Sequence, residues 1–306
     1  MIKIQKFAAV DIGSNAVRLL ISSVVSQNNE IVEVKKISLV RVPIRLGADG
    51  LLKNKIKKDN INRLKDAMIA FKLLMKIHGV LKYKVCATSA MREASNREEV
   101  IKKLCSKSKL QIDVISGKEE ASIIADTFLS NHFNFDNTYL FIDVGGGSTE
   151  LSVIFKGNII SSKSFKIGTV RFLNNLVDDN TWSDYKKWIK TNTKQYSDIV
   201  VIGSGGNINK ILKESKKGVS QSIPYSFIQK FYNKISKLTY EERITKLGFN
   251  PDRSDVIVPA TRILLKSMQY AKSKSVIVPR VGLADGIIRK LNNIDSFGYD
   301  FNDLQA

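Results

Sequence analysis

Cysteine and histidine are almost missing from this chain, with two of each among 306 residues. Cys86 and Cys105 stand in apolar or helical contexts without metal-ligand spacing, which argues against a disulfide scaffold or a thiolate metal centre. Two small core residues in a reducing cytoplasm is the expected setting. His78 and His132 have no partner motif, so histidine-based catalysis is disfavoured. No long Pro- or Ser-rich linker and no low-complexity tract appears, so domains should pack together. Nor is there an uninterrupted apolar run of membrane length. Asp11, Asn15 and Arg18 break the N-terminal apolar patches, and neither a signal peptide nor a membrane span is expected.

Acidic residues are also scarce: 29 Asp and Glu face 49 Lys and Arg, a formal net charge of +20. Such a surface attracts polyanions. Most of the excess is lysine, however, and stretches such as KNKIKKDNINRLK read as compositional bias on solvated helix faces. No RNA-recognition, zinc-finger or helix-turn-helix signature accompanies the charge, so specific nucleic-acid binding is not expected. The hydrophobic share of 43% is that of a globular protein with room for one large domain or two ordinary ones.

Periodicity orders the chain. FAAVDIGSNAVRLLISSVV reads as strand, small-residue turn, strand, and EIVEVKKISLVRV as a third strand. Apolar residues at 61, 64, 68, 71, 74, 75 and 77 predict a helix closed by Gly79. YKVCATSAM is expected as a strand, NREEVIKKLCSK as a helix, QIDVIS as a strand, and SGKEEASIIADTFLSN as a helix with Ser116 and Glu119 as a candidate capping box. The pattern then restarts: TYLFIDVGGGSTELSVIF is strand, glycine turn, strand; NIISSKSFKIG is another strand; DIVVIGSGGNINKIL runs from a strand through glycines into a helix. The last third is mostly helical, with a short strand at KSVIVP and a closing helix at GLADGIIRKL. Asp11 and Asp143 each end an apolar strand before a Gly/Ser turn, 132 residues apart (143 − 11), the signature of an internal duplication. Two similar α/β domains facing a cleft are expected.

FIDVGGGSTE, residues 141 to 150, brackets three glycines with two acids. Alone it is equally a tight hairpin turn or a loop that lies close to a ligand. It is not a P-loop, because no lysine follows the glycines and strand rather than helix comes next; a dinucleotide fingerprint fails similarly. A hairpin loop of this kind offers backbone N–H groups to phosphate. Asp143 and Glu150, on opposite arms, suit Mg²⁺, a hard cation that shares oxygen ligands with phosphate.

Seven motifs, in order along nearly the whole chain, resemble the exopolyphosphatase / guanosine pentaphosphate phosphohydrolase family: DIGSN (11–15), ATSAMREASN (87–96), ISGKEEA (115–121), IDVGGGSTEL (142–151), KIGTVRF (166–172), IGSGGN (202–207) and RSDVIVPA (253–260). The resemblance implies a duplicated ribonuclease-H-like fold of the actin, chaperone and sugar-kinase superfamily, in its short two-domain form. Residues 1–124, joined by a last helix at about 290–306, should form one domain and 125–289 the other. It implies Glu120 as general base and Arg92 as a charge-assisted phosphate ligand. Asp143, Glu150 and Asp11 become the Mg²⁺ acids, and Ser14, Asn15, Gly145, Gly146, Gly147, Ser148, Gly205 and Gly206 the phosphate-binding groups. Blander roles compete: Glu119 and Glu120 suit a helix N-terminus, Arg92 a surface salt bridge, and Gly205 and Gly206 a strand-to-helix turn.

Two departures stand out: Ala284 replaces an arginine common among relatives, and Asn207 replaces a threonine. Inorganic polyphosphate is the first expected substrate and guanosine pentaphosphate the second. A catalytically weak phosphate- or nucleotide-binding regulator, or a sugar kinase or chaperone-like ATPase, ranks behind them. Family relatives make a homodimer one expected state.

Overall fold

The computed structural model describes residues 2–28, 30–129, 137–219, 221–293 and 295–304. His132 lies outside them. The chain divides into two compact units, Met1–Ser116 with Leu283–Ala306, and Gly117–Gly282.

In the first unit, β1 (Ile2–Ile12), β2 (Val17–Gln27) and β3 (Glu30–Val42) form an antiparallel meander. A one-turn helix α1 (Gly47–Gly50), the long α2 (Lys58–His78), β4 (Lys82–Ala87), α3 (Ser89–Glu93), α4 (Arg97–Ser108) and the two-residue β5 (Asp113–Val114) follow. Helix α2 stops where the sequence requires, because Gly79 takes the left-handed conformation at φ 66° and its N–H returns to the carbonyls of Lys76 and Met75. β4 runs parallel to β1 on the side away from β2, and β5 parallel to β4.

The second unit opens with α5 (Gly117–Leu129), then β6 (Thr138–Val144), β7 (Thr149–Phe155), β8 (Asn158–Phe165), α6 (Thr169–Leu173), α7 (Asp179–Thr193), β9 (Ile199–Ser204) and α8 (Gly206–Ser215). Then come β10 (Ser222–Pro224), α9 (Tyr225–Ser236), α10 (Tyr240–Thr245), α11 (Pro251–Ser254), α12 (Ile257–Tyr270) and β11 (Ser275–Ile277). The chain returns to the first unit with α13 (Leu283–Asn293) and β12 (Tyr299–Asp300), which adds antiparallel to β4.

Among the described residues the first sheet runs β12-β4-β1-β2-β3, with β5 also on β4, and the second runs β10-β11-β9-β6-β7-β8. Both contain one plan: a three-strand meander whose first strand is flanked by a parallel strand, itself flanked by another. The duplication expected from Asp11 and Asp143 is therefore a duplication of topology, and the fold is α/β with two mixed sheets. Each unit has its own apolar core, centred on residues such as Val10, Leu19, Phe71 and Val85 in one and Leu140, Val153, Ile211 and Leu264 in the other.

Three local expectations change. The strand expected through Met91 ends at Ala87, level with the end of β1 at Ile12; Thr88 then donates its N–H to the Ile12 carbonyl and the chain coils into α3. Position 124 falls inside α5, whose packing on β7 and β8 keeps the whole helix with the second unit. Beyond 290 the chain is helical only to Asn293, and short 3-10 turns and β12 follow.

Candidate functional site

Within the first unit, Asp11 is directly across from Arg18 in the β1–β2 register, and the Arg18 guanidinium donates to Asp11 Oδ2 at 2.9 Å. Burial pushes the Asp11 carboxyl above its ordinary pKa, and the facing Arg18 opposes that shift. The turn after Asp11 is buttressed by the segment after β3. The N–H of Gly47 donates to the Ser14 carbonyl at 2.7 Å, and that of Arg45 to the Asn15 carbonyl at 3.0 Å. Ser14 Oγ lies 2.8 Å from Ser89 Oγ, joining the turn to the start of α3. Arg92, in the last turn of α3, donates from Nη1 to the Ile115 carbonyl at 2.7 Å.

Within the second unit, Asp143 and Glu150 are directly opposed in the β6–β7 register, so their side chains leave the same face of the hairpin. Glu150 is buried, and its Oε1 accepts from Ser148 Oγ at 2.6 Å and from Ser164 Oγ at 2.8 Å. The glycine turn is closed by the Gly145 N–H to the Ser148 carbonyl. Helix α6 holds the turn: the N–H groups of Thr169 and Val170 donate to the carbonyls of Gly145 and Gly146, and the buried Arg171 donates from Nε to that of Gly147. Three loop carbonyls are thereby taken up by α6 and its arginine.

Gly205 belongs to the same place. Its φ of 107° disfavours side chains, and a Cβ there would stand 2.7 Å from the Val144 carbonyl oxygen and 3.4 Å from Asp143 Oδ1. Gly206 opens α8, and its carbonyl accepts from Arg253 Nη1 at 3.0 Å. Glu120 is buried in the first turn of α5, which packs on the strands carrying Glu150 and Ser164.

The structure thus places Asp143, the glycine turn, Glu150 and Gly205 together, and holds Asp11, Ser14 and Asn15 in a matching turn of the first unit. Among the described residues no three His, Cys, Asp or Glu side chains form a ready-made metal cage. The donor set of the second hairpin is two carboxylates. That fits Mg²⁺, which takes one or two protein carboxylates and completes its shell with water and phosphate oxygens.

Arg171, Arg253 and Ser164 are supporting residues that carry no role in the sequence reading. The first two lie within KIGTVRF and RSDVIVPA, and only their contacts to Gly147 and Gly206 reveal what they do. Ala284 is buried in the first turn of α13, and its neighbour Asp285 pairs with Lys36 at 2.6 Å.

Comparison with known proteins shows the family and the fold. The family model described as the Ppx/GppA phosphatase family matches residues 21–293. The bifunctional 3-dehydroquinate synthase/phosphatase of Fusobacterium nucleatum is 30% identical over 301 residues, covering 89% of this chain and 44% of that protein. The guanosine-5'-triphosphate,3'-diphosphate pyrophosphatase of Vibrio parahaemolyticus is 22% identical over 298 residues, covering 93% of this chain and 59% of that one. This chain therefore spans about half the length of these relatives. The crystal structure of an exopolyphosphatase from Cytophaga hutchinsonii superposes with a TM-score of 0.81 at 20% identity, covering 96% of this chain and 100% of that one, which shows the same fold.

Proposed function

The chain belongs to the Ppx/GppA phosphatase family, and from that premise we propose that it hydrolyses the terminal phosphoanhydride bond of inorganic polyphosphate, with Mg²⁺ and the groups of its Gly/Ser hairpins. The observation that carries this reading is the pairing of Asp143 with Glu150 across a glycine turn whose carbonyls are held by α6. Tying those carbonyls back commits one side of the turn to structure, and the backbone N–H groups of Gly146, Gly147 and Ser148 suit phosphate.

Glu120 takes a proton from water as the water oxygen attacks the terminal phosphorus. The bond from that phosphorus to its bridging oxygen breaks, and the shortened chain leaves with that oxygen. Charge spreads over the phosphoryl oxygens during transfer, so the protein's task is positioning and neutralisation. Arg92 and the turn donors, Ser14, Asn15 and Gly146 to Ser148, supply hydrogen bonds that strengthen as this charge grows, whereas the Gly145 N–H is already taken by the Ser148 carbonyl. Asp143 and Glu150 would hold Mg²⁺, with Asp11 proposed as a further acid, and the ion would supply charge neutralisation. The choice of a long polyanion rests on the net charge of +20. One observation favours a second reading, removal of the 5′ γ-phosphate of guanosine pentaphosphate: the Vibrio relative matched over 93% of this chain is named for that nucleotide.

Phosphate release from long-chain polyphosphate, guanosine pentaphosphate and ATP, with Mg²⁺ and with EDTA, tests the proposal. Metal-dependent release from polyphosphate is expected, with Glu120→Gln slower by about 10²- to 10⁴-fold. Faster release from guanosine pentaphosphate moves the assignment to the second reading. A folded protein that releases nothing overturns both.

A further inference from the structure

Helix α6 has a second set of contacts. Arg171 reaches the glycine turn, and its neighbour Phe172 meets Trp182 edge-on at 6.3 Å between ring centres. Trp182 meets Tyr185 at 5.6 Å, and Tyr185 meets Tyr270 at 6.5 Å. Three cations rest on this aromatic run. The Arg262 guanidinium is 5.0 Å from the Phe172 ring centre, the Lys266 ammonium 4.7 Å from that of Trp182, and the Lys186 ammonium 5.9 Å from that of Tyr270.

Arg262 and Lys266 are four residues apart on α12, a spacing that sets like charges side by side. Helix α12 contains no acidic residue. Among the described residues none of the three cations has a carboxylate within salt-bridge distance. Asp179 is the acid whose field reaches Lys266, and Arg262 and Lys186 act against it. Burial first, then these like charges, hold the Lys266 ammonium below its ordinary pKa.

Packing explains the stems, because lysine and arginine methylenes cover aromatic rings well. It does not explain three charged heads gathered on a protein already at +20. An extended anion removes that repulsion. Nucleic acid fits poorly, because its bases need open aromatic faces to stack on, and here the rings meet edge-on while cations sit over three of them.

We propose that Lys186, Arg262 and Lys266 form an anchoring site for an inorganic polyphosphate chain, separate from the hairpin that takes its reacting end. The identity of the chain as substrate rests on the proposed function; its binding here does not. The test therefore measures binding of the full chain to end-labelled long polyphosphate, in EDTA, over a salt series.

In the triple variant Lys186→Gln, Arg262→Met, Lys266→Met, apolar or amide stems remain and the charges go. Affinity should fall at least about tenfold, and the slope of log affinity against log salt should shrink by about two. A control triple of exposed lysines on and after α9, Lys230→Gln, Lys234→Gln, Lys237→Gln, should change affinity less than about twofold. If the first triple loses the near-ultraviolet signature of packed Trp182, Lys266→Met alone should lower the slope by about 0.7. Equal losses in both triples, or wild-type affinity in the cluster variants, overturns the proposal. So does tighter, cluster-dependent binding of a single-stranded DNA oligomer. Binding that depends on the cluster in a protein releasing no phosphate upholds this site while removing the hydrolase reading.

Discussion

In the β1–β2 hairpin the acid near the end of the first strand, Asp11, faces Arg18; in the β6–β7 hairpin the matching acid, Asp143, faces Glu150. The backbone scaffold around the two pairs is alike. Each turn is closed by a hydrogen bond, from Gly13 to Ala16 in one and from Gly145 to Ser148 in the other. Each third strand ends in a tight turn, Ile44 to Val42 and Ile167 to Phe165, and the segment beyond donates to the turn, Gly47 to Ser14 and Val170 to Gly146. The scaffold is thus duplicated while the electrostatics are not. One hairpin brings together charges of opposite sign, and the other brings two negative charges to the same place. Directly opposed like charges disfavour a hairpin, and the proposed Mg²⁺ would convert that disadvantage into a binding site.

The largest effect is expected from Glu150→Arg, which copies the first hairpin's pair into the second. The fold should survive, since Arg18 shows that the plan accepts arginine at this position. Phosphate release should fall by at least about 10³-fold, the scale of removing a charge-stabilising group. Mg²⁺ is expected to raise the melting midpoint of the wild type, and that rise should be absent in the variant. Should the buried guanidinium prevent folding, Glu150→Gln carries the same two expectations. A variant that still gains stability from Mg²⁺ and works within about tenfold of wild type would show that the ion is held elsewhere.

Much of this contrast was legible beforehand. FAAVDIGSN and FIDVGGGST announce two strand ends by apolar runs that stop at small residues, and the acids are read directly. Helix α2 was equally plain, because its apolar spacing and Gly79 agree. The buttresses were not. Helix α1 is one turn long and consists of Gly47, Ala48, Asp49 and Gly50, a composition with little helix preference. It exists because α3 lies against it so closely that a Cβ on Gly50 would stand 2.2 Å from the Ala90 carbonyl oxygen. Such contacts are tertiary, and no local pattern encodes them. The same reason hid Ser164: its place beside Glu150 depends on the β7–β8 register.

Glycine holds the two buttresses to different tolerances. A Cβ on Gly168 would stand 2.3 Å from the Gly146 carbonyl oxygen and 2.5 Å from the Gly147 carbonyl carbon, all backbone that cannot turn aside. A Cβ on Gly47 in the first unit would meet Ser14 Cβ at 3.1 Å and the Ser14 carbonyl oxygen at 3.2 Å, both beyond 3.0 Å and relieved by a small shift. Gly168→Ala should therefore cost about 1–3 kcal/mol, as overpacking does, and slow phosphate release about tenfold by pushing the turn off α6. Gly47→Ala should cost less than about 1 kcal/mol, since alanine also favours the helix. Urea unfolding midpoints of the two variants measure the difference. Equal costs would mean that the second turn is no more tightly held than the first.

Asp11→Asn gives the smallest effect and tests whether the first hairpin's pair serves stability at all. Burial raises the folded-state pKa of Asp11 although Arg18 opposes it, so the folded form holds its proton more tightly than the unfolded chain. Below the ordinary carboxylate pKa both states are protonated and no cost arises. As the pH rises the unfolded chain ionises first, and the folded protein loses relative stability until Asp11 has ionised in the fold too. At neutral pH the asparagine variant should therefore melt slightly above wild type, and the gap should close on acidification. A variant that melts lower at neutral pH would mean that the Arg18 pair outweighs burial. The acid would then be kept for the fold, and its place among the Mg²⁺ ligands would fall away. A variant that melts higher but releases phosphate more slowly would mark Asp11 as a group retained at a cost in stability because the chemistry uses it.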